Sequence, residues 1–141
     1  MNKNLLIIFV SLFAVTSVSC STIRELKEKE YGVLVSAVLS SAEKTTGKYS
    51  GNLPDDFDRN ALMNLVKDKI PREYYKELER HYIDVEPKGD YYLLKAYDSP
   101  GTNMILFDYS CTPKLDGNVW EEPGKYDLNR LELYDECKLN N

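Results

Sequence analysis

His81 is the only histidine in the chain, so any Ser–His or Cys–His chemistry would have to run through it. It lies in Glu77-Leu78-Glu79-Arg80-His81-Tyr82, the charged end of a helical pattern. A helix C-terminus favours a histidine there without any catalytic role. A single histidine also rules out zinc sites of the HExxH type, which need two. Carboxylates are more plentiful. Asp55, Asp56 and Asp58 crowd one segment, and Asp116, Asn118, Glu121, Glu122 and Asp127 crowd another. Paired acids can hydrolyse a glycoside, and oxygen ligands can hold Ca²⁺. Asp116-Gly117-Asn118 begins like an EF-hand loop but lacks its sixth-position glycine and twelfth-position glutamate. Solvated acidic loops explain both clusters equally well, and a chain this short leaves little room for a sugar cleft. Gly89, Gly101, Gly117 and Gly124 are isolated turn glycines, with no phosphate-cradling motif among them. Neither a catalytic residue, a metal nor a cofactor is therefore expected.

Aromatic residues offer a different chemistry, that of recognition. Eleven tyrosines and one tryptophan are present. Tyrosine gives large contact area with few rotors and a polar tip, which suits interfaces. Tyr91 and Tyr92 are neighbours in a strand-like run and cannot share one face of a sheet. Trp120 lies in a loop bounded by Pro and Gly and is followed by Glu121 and Glu122. Some aromatics are expected at the surface, either as the rim of a small core or as anchors of a binding surface with acidic surroundings.

The elements that would position these residues follow from periodicity. Tyr31, Leu34, Val35, Val38, Leu39 and Ala42 mark one face of a helix over 22–48, and Gly47 supplies its stop. Residues 49–58 read as a loop, with Asp55 or Asp58 placed to cap a short helix over 59–69. Pro71 breaks that helix and suits the first turn of another over 71–82. Ile83-Asp84-Val85 alternates, Pro87–Asp90 forms a turn, and Tyr91–Cys111 reads as a hairpin closed by Ser99-Pro100-Gly101-Thr102-Asn103. Residues 112–125 are loop-like. Leu131–Tyr134 alternates and is expected as a last strand beside Met104–Tyr109, or else as a short helical turn. The expected fold is α+β: one long N-terminal helix and two short helices packed on a small antiparallel sheet, with one C-terminal disulfide.

The N-terminus reads as an export signal. Met1–Asn4 carries one positive charge, Leu5–Val15 is almost wholly apolar, and small residues follow. The apolar run is short for a membrane span, which takes about 20 residues. Ser17-Val18-Ser19-Cys20 resembles a bacterial lipobox, with Ser17 where leucine is usual. The resemblance covers residues 1–20 and implies a Cys20 that carries lipid, and Ser21 after it implies the outer membrane. Ordinary cleavage after Ser19 or Cys20 is the competing reading. The expected organisation is a signal over 1–19 and a single domain over 20–141.

Export makes a disulfide the default for Cys111 and Cys137, the two cysteines left over. Closing a loop of about 27 residues contributes ~3.5 kcal/mol in the chain-entropy model. Charge narrows the partners. The chain holds 18 Lys+Arg against 23 Asp+Glu, and losing residues 1–19 removes only Lys3, leaving −6. No basic patch is available for nucleic acid. The leading expectation is a small exported, lipid-anchored envelope protein, acidic and non-catalytic, that binds another protein with a basic surface, as immunity or inhibitor proteins do. Its contact residues would be Trp120, Glu121, Glu122, Asp55, Asp56 and Asp58. Its other partner would be the lipid bilayer, through the N-terminal lipid, and nucleic acid would not bind. The alternatives are a pilin-like accessory of the cell surface and, behind it, a small carboxylate-dependent hydrolase.

Overall fold

The computed structural model of the chain describes residues 3–50 and 52–131, with side chains from Cys20 onward. The fold is α+β, with three helices packed on a four-stranded antiparallel sheet. Helix α1 spans Lys3–Lys48, α2 Arg59–Val66 and α3 Arg72–Arg80; strands β1 Tyr82–Lys88, β2 Tyr91–Ser99, β3 Thr102–Tyr109 and β4 Gly117–Asn118 follow, in the spatial order β1-β2-β3-β4. The chain divides into two compact units, Met1–Gly32 and Val33–Asn141. Among the described residues no helix is long and apolar enough to cross a membrane.

Helix α1 is longer than the expected 22–48, because the apolar run before it is also helical. In the first unit Arg24 pairs with Glu28 one turn on, at 2.9 Å. In the second, Leu34, Ala37, Val38, Ser41, Ala42 and Thr45 are buried. That is the i, i+3, i+4, i+7 spacing of one helix face. Two hydroxyl residues sit on it without cost, since Ser41 and Thr45 donate back to the carbonyls of Val38 and Ser41, each at 2.8 Å. Asp58 caps α2, its carboxylate accepting the Ala61 N–H at 2.9 Å. The α3 pattern ends earlier than expected: His81 is its C-cap and Tyr82 already belongs to β1.

The hairpin forms where the pattern places it. Ser99 pairs with Thr102 across Pro100-Gly101, and Gly101 takes φ 72°, a left-handed step that costs glycine nothing. One irregularity matters. Ala96 pairs with Leu106 but Tyr97 pairs with Met104, so Ile105 is an extra residue, a β-bulge that turns Met104 to the side of Tyr97.

Among the described residues the fourth strand comes from an unexpected segment. β4 comes from Gly117-Asn118, inside the segment whose composition reads as loop, and pairs with Phe107 and Leu106. Leu131 makes no strand pairing, and Glu132–Tyr134 lie outside the described residues. So does Cys137, and with it the expected Cys111–Cys137 bridge.

Both faces of the sheet are covered. Ile83, Val85, Tyr92, Leu94, Ala96 and Leu106 are buried on the helix side. Tyr91, Leu93, Phe107 and Tyr109 form a second cluster on the opposite face, packed by Met104, Cys111, Val119, Tyr126 and Leu131. That cover is a strap over 110–131 with no regular structure beyond β4. Phe107 is its centre, edge-on to Tyr126 at 5.2 Å and to Tyr109 at 6.4 Å. The Tyr109 hydroxyl donates to the Leu131 carbonyl at 3.0 Å. Gly117 is where the strap comes closest to the sheet: a Cβ there would collide with the Phe107 ring. Gly117→Ala is expected to destabilise the fold by about 1–3 kcal/mol, the range for overpacking a filled core. Urea unfolding of the variant beside the wild type measures it, and an unchanged midpoint would show that the approach is not tight.

Candidate functional site

The strap begins where β3 ends. Ser110 N–H donates to the Tyr92 carbonyl at 3.0 Å, and Ser110 Oγ accepts the Tyr92 N–H at 2.9 Å. The chain then folds back through a hook over 112–118. Asp116 fastens the hook: one carboxylate oxygen accepts the Tyr109 N–H at 2.6 Å, and the Thr112 hydroxyl donates to the other at 3.1 Å. The two pairs of β4 follow, and the Trp120 N–H donates to the Ile105 carbonyl at 3.0 Å. That last bond ends at the bulge, where the β3 ladder is already irregular.

Trp120 is therefore held by its backbone while the residue stays 37% exposed. Glu121 and Glu122 beside it are exposed. The turn is less acidic than its sequence. Glu122 accepts from Lys125 Nζ at 2.7 Å and from the Tyr126 hydroxyl at 2.8 Å, and the lysine holds its carboxyl below the usual glutamate range. Gly124 closes the turn with φ 82°. The tyrosine that carries Glu122 is the one packed on Phe107, so the display surface is tied directly to the second cluster.

The other predicted contact residues lie elsewhere. Asp55 and Asp56 are exposed in the loop before α2, and Asp58 is occupied as that helix's cap. This loop belongs to the helix-covered face: Phe57 stacks on Tyr92 at 6.1 Å between ring centroids, and Leu53 N–H donates to Gly89 O. Trp120 follows the opposite edge strand. The fold does not bring the two acidic clusters together. Cys20 is an exposed free thiol. Cys111 is half-buried against the second cluster. His81 Nδ1 lies 2.8 Å from the Glu77 carbonyl, a hydrogen bond that closes α3.

A residue the sequence did not single out is the most unusual in the molecule. Asp108 is fully buried, and neither carboxylate oxygen has a hydrogen-bond partner. Its parity in β3 is that of Leu106, so it shares the helix-side face with Leu94 and Tyr92. Burial pushes its carboxyl up to about 8, and the charge of Asp116 adds to the shift. The nearby Tyr92 hydroxyl lies 3.3 Å from Ser41 Oγ, and burial raises its pKa. The signal available beforehand was a carboxylate set inside Ile105-Leu106-Phe107-Asp108-Tyr109, a run apolar on both sides.

The sheet's other charges are paired. Lys95 on β2 stands opposite Asp84 and bonds it at 3.2 Å, and also bonds Glu86. Burial would lower the lysine's pKa, but the two acids outweigh it and leave it raised. Lys95 lines a cleft of about 280 Å³ with Tyr97, Met104 and Leu131. A second, open cleft of about 530 Å³ lies between the end of α1 and the start of the strap, lined by Ser40, Glu43, Thr46, Ser110 and Thr112 among others. Among the described residues of the second unit, no three His, Cys, Asp or Glu side chains lie close enough to share an ion.

Comparison with protein families, with characterised proteins and with solved structures finds no match to this chain.

Asp108 gives the fold a pH signature. Between pH 3.8, its ordinary value, and about 8 the folded chain keeps a proton that the unfolded chain has lost. The unfolded state then binds fewer protons, so stability falls as pH rises through that window and levels off above it. The slope is at most ~1.4 kcal/mol per pH unit for one group. Asp108→Asn removes the titrating group while keeping its shape. Unfolding free energies from about pH 5 to 8, above the ordinary carboxylate range, should fall for the wild type and lie flatter for the variant. Equal slopes would show that Asp108 ionises normally in the fold.

Proposed function

We propose that the protein is a small exported envelope protein, anchored by lipid on Cys20, that acts by binding another protein and has no catalytic activity. The observation that carries this reading is Trp120: a large aromatic ring left exposed on a segment the core holds in place. Exposed Trp beside charged residues is the composition of a binding hot spot rather than of a solvated loop. The strap gains its contact with the sheet through Phe107, Tyr109 and Tyr126, so the ring is displayed on a fixed frame and little ordering is left to the moment of binding.

In this reading the contact surface is Trp120 and Glu121, with Glu122 acting through Lys125 and Tyr126. Asp55 and Asp56 would belong to a separate surface, and Asp58 is a helix cap. An acidic protein of this charge suits a partner with a basic surface. A Cys111–Cys137 bridge would pin the strap to the end of β3. Exposure of Cys20 is consistent with a lipidated first residue.

A surface-assembly component is the second reading. The observation in its favour is α1 itself, a helix of 46 residues followed in the chain by an antiparallel sheet. Against it stand the missing prepilin cleavage sequence and the missing glutamate that follows such a site. Self-association of the full chain would favour assembly, and capture of a different protein would favour the binding reading.

Two experiments test the proposal. Trp120→Ala and Glu121→Lys, each in the full chain, should weaken capture from envelope extracts at least tenfold, the loss of about 1.4 kcal/mol that marks a contact residue. Asp55→Lys should leave it unchanged, and the reverse ranking would move the surface to the α2 side. Intact mass of the exported chain, with and without reductant, should show a diacylglycerol-bearing Cys20 and a two-proton deficit relieved by reduction. A mature N-terminus beyond Cys20 rejects the anchor, and a mass unmoved by reductant rejects the bridge.

A further inference from the structure

A buried acid with no partner and the acid that fastens the hook lie across one strand pairing from each other. Phe107 pairs with Gly117, so Asp108 and Asp116 are the next residues outward on the two strands. Asp116 is committed as an anion, since its oxygens accept the Tyr109 N–H and the Thr112 hydroxyl. Neither Asp108 oxygen makes a hydrogen bond, and the Asp116 backbone N–H offsets only part of what burial costs its charge.

We propose that Asp108 and Asp116 form a pH-operated latch on the strap: while Asp108 holds its proton the 112–118 hook stays closed on β3, and loss of that proton to water releases it. Two carboxylates this close cannot both ionise cheaply in a low-dielectric setting. Something must yield when they do. The β2–β3 ladder carries six register pairs and β3–β4 only two, so the hook is the weaker side of β3. Releasing it moves Asp116 away and lets water reach Asp108.

The other groups around Asp108 do not relieve the charge. β2 presents Tyr92, whose neutral hydroxyl is held by Ser41 and Thr45 of α1, and neither carries charge. Of the charged residues at that end of α1, Glu43 and Lys44 pair with each other at the surface at 3.3 Å, and Lys48 in the last turn lies over the Tyr49 ring at 5.1 Å. Burial is the larger cause of the shift at Asp108, the charge of Asp116 adds to it, and the Asp116 backbone N–H partly offsets it.

The latch itself does not depend on what the strap binds. Its bearing on partner capture rests on the reading of Trp120 as a contact residue, because the hook precedes that turn directly. The chain's single tryptophan is also its reporter. Trp120 emission of the full chain, read from about pH 6.5 to 9, where most tyrosines stay neutral, should show a one-proton transition near pH 8. Far-UV circular dichroism should stay constant across it. Asp108→Asn should abolish the transition. Asp116→Asn keeps the oxygen that accepts the Tyr109 N–H but removes the second charge, and should move the midpoint to lower pH. A flat wild-type trace, an unchanged transition in Asp108→Asn, a midpoint unmoved or raised in Asp116→Asn, or loss of secondary structure in step with emission would each overturn the latch. Should Asp108→Asn not fold, hydrogen exchange of the wild type decides. Protection lost at Gly117 and Asn118 ahead of Leu93 and Lys95 supports it, and parallel loss along the sheet overturns it. Capture with a flat emission trace rejects the latch alone, and a working latch with no capture rejects the contact surface alone.

Discussion

Adjacent residues of a strand point to opposite faces, and in this fold both Tyr91 and Tyr92 are buried. That single constraint requires a cover on each side of the sheet. Helices supply one. α1, with its face of small and hydroxyl residues, lets Tyr92 reach Ser41, and Phe57 closes over the ring from the loop before α2. The other cover has to come from what remains of the chain after β3, and it comes as an irregular strap. The arrangement departs from a sheet with one wet face, the common solution for antiparallel sheets.

An irregular cover has a specific weakness. Its backbone polar groups must find partners one at a time. The strap does so through the Asp116 carboxylate, two ladder pairs, the Trp120 bond to the bulge and the Tyr109–Leu131 bond. Its apolar contribution runs through Phe107, which touches Tyr109 and Tyr126 edge-on. Each such aromatic contact adds about 0.5–1.5 kcal/mol beyond burial, against about 1–2 kcal/mol of backbone entropy for each residue ordered. The strap is thus ordered by a few strong points with freer chain between them. Gly117 shows how close those points are, since the ring and the backbone leave no room for a methyl group.

Much of this was legible in the sequence, and the limits are physical. Pro100-Gly101 between two apolar runs fixed the hairpin, because few other residues accept that turn. The helical spacing located all three helices, and of the two caps the sequence offered for α2, Asp55 and Asp58, it is Asp58 that caps it. The phase of α1 was read less well: Ala37, Ser41 and Thr45 are buried, but a pattern built on large apolar residues does not count small or hydroxyl ones. β4 was invisible, since two residues have no period. Leu131–Tyr134 has the alternation of a strand, but all of it past Leu131 lies outside the described residues; the described pairing beside β3 is that of Gly117-Asn118, thin enough to approach Phe107. The candidate contact residues were found as a list but not as a surface. Sequence clustering says nothing of which face of the sheet a loop will cover, and the acids of 55–58 and of 121–122 went to different ones.

Asp108 follows from the same double cover. In a sheet with one wet face, a carboxylate at that position would belong on the solvated side, and its neighbours of opposite parity would form the core. Here Phe107 and Tyr109 are buried under the strap while Leu106 and Leu94 are buried under the helices. Position 108 therefore has no solvated side, whichever way it points. A leucine there would cost nothing, and an asparagine would cost only its amide's hydrogen bonds. An aspartate costs most when ionised and least when protonated, and its charge is felt first at the adjoining Asp116. The element that depends on Asp116 is the strap, the second cover, which is also the least regular part of the fold. The acid thus ties the closure of the sheet's outer face to proton concentration, at the place where that face is least able to resist opening.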